Sequence, residues 1–287
     1  MELSLNNISK KYKTKQALTD INITLHEGVY ALLGPNGAGK STLMNILVGL
    51  IPATAGEVLL DGKSTASLGA DFRSLLGFLP QEPGFYPSFS GYDIMRYYAD
   101  LKGVPDARLR INELLELVSL TPDKKRRVGQ YSGGMKRRLG IAVALLNSPK
   151  ILVMDEPSAG LDPEERIRLR NIISDIGLDR IVILATHIVS DVESIADECL
   201  LLKDGRLIAS GTPDALKAKI AGKVWDVPCG QDEARRYMTD RPCANITKSD
   251  GGTFLHIVSD ERPADSAVSV APGLEDVYVY YFNERPR

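Results

Sequence analysis

Apolar and polar residues alternate in short runs at the start of the chain, and the alternation predicts strands over Leu3–Ser9, Ile21–Leu25 and Val29–Leu33. The third run ends in Gly34-Pro35-Asn36-Gly37-Ala38-Gly39, and Lys40–Leu50 then reads as a helix that Gly49 and Pro52 close. Two more strands are predicted at Gly56–Leu60 and Leu75–Leu79. From Gly91 to Leu120 the period becomes helical. Ile94, Tyr97, Tyr98 and Leu101 share a face there, as do Leu114, Leu115, Leu117 and Val118. Ile151-Leu152-Val153-Met154 and Ile181–Ala185 are apolar without interruption, the pattern of parallel strands covered on both faces. Between them, Pro163–Ile176 reads as a helix capped by Asp162 with proline in its first turn. Strands alternating with helices indicate an α/β domain around a largely parallel sheet. Near Gly222 the character changes: Val224–Val227, Ala244–Thr247 and Phe254–Val258 are short alternating segments, and the aromatic-rich Leu274–Phe282 follows them. A main domain over residues 1–222 and a small α+β appendage over 223–287 are therefore expected.

Composition narrows the class without changing this picture. With 44% hydrophobic and 25% charged residues, the 287-residue chain is an ordinary globular protein and not a disordered one. Its 35 basic and 37 acidic residues nearly cancel, which argues against a nucleic-acid partner. The basic runs Lys124-Lys125-Arg126-Arg127 and Lys136-Arg137-Arg138 are accordingly read as solvated faces. Cys199, Cys229 and Cys243 are few and unclustered, as suits a reducing compartment, and form neither a disulfide scaffold nor a zinc site. The opening Met1–Asn7 lacks the pattern of a signal peptide, and no apolar run approaches the ~18 residues that span a bilayer. A soluble, cytoplasmic chain is expected.

Gly34-Pro35-Asn36-Gly37-Ala38-Gly39-Lys40-Ser41 matches the phosphate-binding pattern G-x-x-x-x-G-K-[ST], with a strand before it and a helix after it. Its glycines let the backbone wrap closely around phosphates, and the helix start contributes positive potential. Lys40 is expected to reach the β- and γ-phosphates and the Ser41 hydroxyl to ligate Mg²⁺, with Thr42 beside it in the first turn. The strand ending at Met154 delivers Asp155 and Glu156 to the edge where ligands of open α/β sheets gather. Successive strand residues point to opposite sides, so the two carboxylates can hold different tasks. Asp155 is assigned to the Mg²⁺ shell, and Glu156 to polarising the water that attacks the γ-phosphate.

Between these motifs stands Tyr131-Ser132-Gly133-Gly134-Met135, which resembles the Leu-Ser-Gly-Gly-Gln signature of ABC-type ATPases, departing from it at the two outer positions. Ser132 can cap a helix start whose glycines offer N–H groups to a phosphate. The resemblance covers Met1 to about Gly222. It implies a RecA-like core with an antiparallel β subdomain and a helical subdomain at about residues 82–148. It also implies a Q-loop glutamine at Gln81 that ligates Mg²⁺ and water, a D-loop over Ser158–Asp162 that includes Asp162 among the nucleotide-binding residues, a switch histidine at His187 and an adenine-stacking aromatic at Tyr12. In this family two copies pack head to tail, each ATP lying between the P-loop of one and the Ser132–Gly134 segment of the other. The partners implied are a second ATPase subunit, identical or not, and an integral-membrane permease that would hold the chain at the inner face of the membrane. Phe85, Tyr86, Phe89, Tyr92, Tyr97 and Tyr98 lie where the family receives a permease helix.

The stretch from Ser41 to Ser132 is too short for the coiled coils of DNA-repair relatives, and the chain holds one cassette and no membrane helices. The segments Tyr131–Leu139 and Leu274–Tyr278 resemble the ATPase subunits of bacterial ABC-2-type exporters. The reading from sequence is thus the ATP-hydrolysing subunit of an exporter, with a soluble ABC-type ATPase or a nucleotide-dependent switch as the alternative.

Overall fold

A computed structural model describes residues 1–230, 245–249 and 252–282. The chain divides into two units, Met1–Ala209 and Ser210–Arg287. This division precedes the change of sequence character near Gly222, because the helix Pro213–Ala218 packs with the last helix of the second unit.

In the first unit, β1 (Leu3–Tyr12) and β2 (Lys15–Leu25) form an antiparallel pair running from Leu3 opposite Leu25 to Tyr12 opposite Lys15. Their alternation buries Leu3, Leu5 and Ile8 from one strand and Leu18, Ile21 and Leu25 from the other. β4 (Ala55–Leu60) and β5 (Lys63–Ser64) complete a four-stranded antiparallel sheet in the order β2-β1-β4-β5.

The second sheet contains β3 (Gly28–Leu33), β6 (Leu76–Leu79), β7 (Ile151–Asp155), β8 (Ile181–Thr186), β9 (Glu198–Lys203) and β10 (Arg206–Gly211), in the order β10-β9-β3-β8-β7-β6. Every residue of β3, β7 and β8 is buried, as uninterrupted apolar runs require. Each Leu, Ile or Val buried in these strands contributes about 1.5–3 kcal/mol. The strands β9, β3, β8, β7 and β6 run parallel, with Leu33 opposite Thr186, Asp155 opposite Ala185 and Leu79 opposite Met154. This register brings the loops after β3, β8, β7 and β6 side by side at one edge of the sheet.

α1 (Lys40–Leu47) follows β3, and the short α2 (Thr65–Leu68) and α3 (Ala70–Ser74) lead into β6. α4 (Gly91–Lys102), α5 (Ala107–Leu117) and α6 (Gly133–Ala144) pack on one another. The helical run beginning at Gly91 is therefore two helices. Gly103 takes a left-handed φ of 64° at the end of α4, and Pro105 then has no N–H with which to continue. α7 (Pro163–Gly177) starts as its sequence implies, with the Asp162 carboxylate accepting from Glu165 N at 2.9 Å.

The second unit contains α8 (Pro213–Ala218), β11 (Val224–Pro228), β12 (Asn245–Ser249), β13 (Gly252–Val258), β14 (Val268–Ser269) and α9 (Leu274–Phe282). Its strands form an antiparallel sheet in the order β12-β13-β11-β14, around Val227, Leu255, Ile257 and Ala267. The aromatic-rich segment is the helix α9, which buries Leu274, Val277 and Phe282.

No helix among the described residues is long and apolar enough to cross a membrane. Cys199 is buried, and burial pushes its thiol up to about 12, which leaves it unreactive. Cys243 and Ala244 lie outside the described residues.

Candidate functional site

The loop after β3 encloses a cavity of about 260 Å³ whose lining includes Tyr12, Lys40, Ser41, Gln81, Asp155 and Glu156. Asn36, Gly37 and Thr42 also face it. Gly39, the residue before α1, has φ 110°, and a Cβ there would stand 2.8 Å from the carbonyl oxygen of Ala17, so only glycine closes the loop this tightly. α1 has no side chain capping its N-terminus, whereas Ser90, Ser132, Asp162 and Thr212 cap α4, α6, α7 and α8. The first-turn N–H groups of a helix lack intrahelical partners, so α1 opens an uncapped, positively polarised end onto the cavity. A phosphate suits that place.

Lys40 stands at the same end. Its buried amine donates to the carbonyls of Gly34 at 2.6 Å and Pro35 at 3.3 Å and lies 3.9 Å from Glu156 Oε1. Burial lowers its pKa, and the Glu156 and Asp155 carboxylates oppose that shift.

Asp155 is buried at the end of β7, and its carboxyl pKa is raised by desolvation, against a hydrogen bond from Ser41 and the nearby Lys40. A divalent cation here would compensate the buried charge. Ser41, Asp155 and Gln81 all supply oxygen donors, the kind that hard cations such as Mg²⁺ take. Strand alternation would send Asp155 and Glu156 to opposite sides, yet both line the cavity. The reason is local: β7 ends at Asp155, and Glu156 turns out of the strand with a left-handed φ of 50° while its N–H still donates to Ala185 O at 2.9 Å. His187, at the end of β8, places Nδ1 2.9 Å from Glu156 Oε2 and so joins the cluster through that carboxylate. Tyr12 stands at the cavity mouth, 45% exposed, with the Lys10 amine 5.1 Å from its ring centroid.

Ser132, Gly133, Gly134 and Asp162 do not line this cavity. Ser132 caps α6, accepting from Met135 N at 3.1 Å, and Ser132 and Gly133 are exposed. Gly134 is buried against Glu165, where a Cβ would stand 1.4 Å from Oε2. The run Lys136-Arg137-Arg138 is not the solvated face its charge suggests. Arg138 is 7% exposed, donating to Val118 O and Ser119 O and pairing with Glu165 at 3.1 Å. Arg137 is half-buried and donates to Gln81 O and Ala159 O. A sequence signal existed, because three bases in the first turns of a helix oppose its dipole and so need partners elsewhere.

The family model described as ABC transporter matches residues 18–159. The lantibiotic transport ATP-binding protein SrtF of Streptococcus pyogenes is 41% identical over 208 residues, covering 72% of this chain and 89% of its own length. The Nod factor export ATP-binding protein I of Burkholderia orbicola is 33% identical over 280 residues, covering 95% and 91%. Among solved structures, the dimeric post-hydrolysis ATP-binding cassette MJ0796, bound to ADP and Pi, is similar with a TM-score of 0.67 and 26% identity over 73% of this chain and 98% of its own.

Proposed function

The chain belongs to the ABC transporter family of ATP-binding, ATP-hydrolysing subunits, and from this we propose that it drives a separate membrane permease in the direction of export. The observation that carries the chemical part is the uncapped start of α1 beside a buried lysine, facing two buried carboxylates across one cavity. The loop amides and Lys40 hold the phosphates of ATP, and Tyr12 meets the base. Ser41, Asp155 and Gln81 hold Mg²⁺, which neutralises phosphate charge when bound. Glu156, oriented by His187, accepts the proton of the attacking water as its oxygen bonds to the γ-phosphorus in line with the β–γ bridging oxygen, whose bond breaks to release ADP and inorganic phosphate.

Ser132, Gly133, Gly134 and Asp162 serve the nucleotide of a second copy packed head to tail. Their exclusion from the cavity of their own chain, and the exposure of Ser132 and Gly133, support this reading. The export direction is supported by relatives whose names describe lantibiotic transport and Nod factor export. Tyr86, Phe89 and Tyr97, which stack in T-shaped or tilted pairs and remain partly exposed, suit a helix from the permease. The chain then lies on the inner face of the membrane through that partner. A cysteine placed at Ser88, beside these rings, is expected to crosslink to a permease co-expressed with an ATP-hydrolysing complex. A functional complex that yields no adduct contradicts the docking.

A further inference from the structure

Arg137 has a placement that the roles above leave unused. It stands in the second turn of α6, where the helix dipole disfavours a cation, yet it forms no ion pair within 4 Å among the described residues. Both of its bonds run to main-chain carbonyls of other elements. Nη1 donates to Gln81 O, just past β6, and Nη2 donates to Ala159 O at 3.5 Å, in the loop between Glu156 and α7. Its neighbour Arg138 turns elsewhere, to Val118, Ser119 and Glu165. One planar guanidinium therefore links the helix opened by Ser132–Gly134 to the two loops that flank Glu156. The rigid fork holds two acceptors at a set separation, which a lysine ammonium on a flexible stem does not do. Glu156, Asp155 and Glu82 also act on the guanidinium electrostatically, opposing the lowering of its pKa by burial.

We propose that Arg137 is a positioning residue for hydrolysis, tying the placement of the Ser132–Gly134 segment to the alignment of Gln81 and Glu156 in the same chain. The proposal rests on the head-to-tail ATPase reading above. In that arrangement the segment of one copy meets the nucleotide of the other, so Arg137 links occupancy of one site to the geometry of the next. ATP binding itself, carried by the α1 loop and Lys40, does not depend on it.

The test uses the full chain as Arg137→Met and Arg137→Lys, with fluorescent-nucleotide affinity, kcat, KM and thermal melting measured for each. The proposal expects kcat to fall by about 10- to 100-fold in both variants, the scale of a slightly misplaced reacting group, with nucleotide affinity changed less than about twofold. Full recovery in Arg137→Lys would reduce the role to charge and overturn it. So would an unchanged kcat in Arg137→Met, or a parallel loss of affinity and kcat. If Arg137→Met does not fold, Arg137→Lys decides alone; if neither folds, Arg137 is a stability element and the proposal fails. Glu156→Gln, assayed in parallel, separates the two levels. Full activity in that variant removes the underlying site reading, whereas its inactivity beside active Arg137 variants removes only the coupling.

Discussion

Lys40 holds its amine in a place that only a small number of atoms define. The Gly34 and Pro35 carbonyls accept from it, and Glu156 Oε1 lies 3.9 Å away. Lys40→Ala removes the one side-chain cation that, among the described residues, lines the phosphate end of the cavity, since Lys15, the other lysine in the lining, belongs to the β1–β2 sheet. Hydrogen bonds to charged groups are worth about 1.5–3 kcal/mol, so ATP affinity is expected to weaken roughly 10- to 100-fold and hydrolysis to vanish. Isothermal titration together with phosphate release checks both, and near-normal turnover contradicts the assignment. At this scale the sequence is legible where the lining of the cavity sits in one stretch, as between Pro35 and Ser41, or at the end of a recognisable strand, as with Asp155. The bases at the start of α6 signal a need for partners, but which partners Arg137 and Arg138 take was not legible because those are remote: Gln81 lies 56 positions from Arg137, and Glu165 lies 27 from Arg138. The turn that brings Glu156 to the same side as Asp155 was hidden for a different reason, since a left-handed glutamate leaves no mark in residue type.

At the scale of elements, α7 reaches the start of α6 through one side chain, Glu165. A methyl group at Gly134 would occupy the place of the Glu165 carboxylate, which Arg138 holds at 3.1 Å. Gly134→Ala is expected to cost about 1–3 kcal/mol by forcing that carboxylate aside. In a Glu165→Ala background the same substitution should cost less, with a coupling of about 0.5–3 kcal/mol measurable by denaturant unfolding; strict additivity contradicts the contact. In the second unit, His256 joins three elements, its Nδ1 2.7 Å from Asp226 on β11 and its Nε2 2.9 Å from Asp276 on α9. The hydrogen bond to Asp276 is the largest cause raising its pKa to about 9, with Asp226 adding to it against desolvation. A pKa raised on folding gives stability that is complete below the unfolded value near 6.5 and fades as pH rises through about 9. The gap in stability between the wild type and His256→Gln should therefore be about 2–3 kcal/mol near pH 6 and shrink steeply between pH 7 and 10. A gap that stays constant over that range contradicts the charged clip. The hairpin of β9 and β10 shows what a sequence reading can overlook, because its Asp204-Gly205 turn, with φ values of 50° and 73°, is a strong hairpin signal that periodicity alone passes over.

For the molecule as a whole, the central sheet accounts for the cavity. Parallel register sets the ends of β3, β8, β7 and β6 in one row, and so gathers Lys40, His187, Glu156 and Gln81 from distant parts of the chain. For Lys40 and Glu156 that gathering was legible because their strands read from the apolar pattern, whereas Gln81 and His187 were legible only through the family resemblance. The placement of Ser132–Gly134 outside the cavity was legible only through the family resemblance, which implies a counterpart in a second copy. The proposed composite site therefore requires that two copies close around ATP. Glu156→Gln keeps the size of the side chain and removes its proton acceptor, so binding should persist while hydrolysis falls by about 10²- to 10⁴-fold. Light scattering of this variant with ATP and Mg²⁺ should report twice the 31.3 kDa of one chain, returning to the single mass with ADP. A variant that binds ATP and remains at 31.3 kDa, or that hydrolyses it at the wild-type rate, contradicts the composite site.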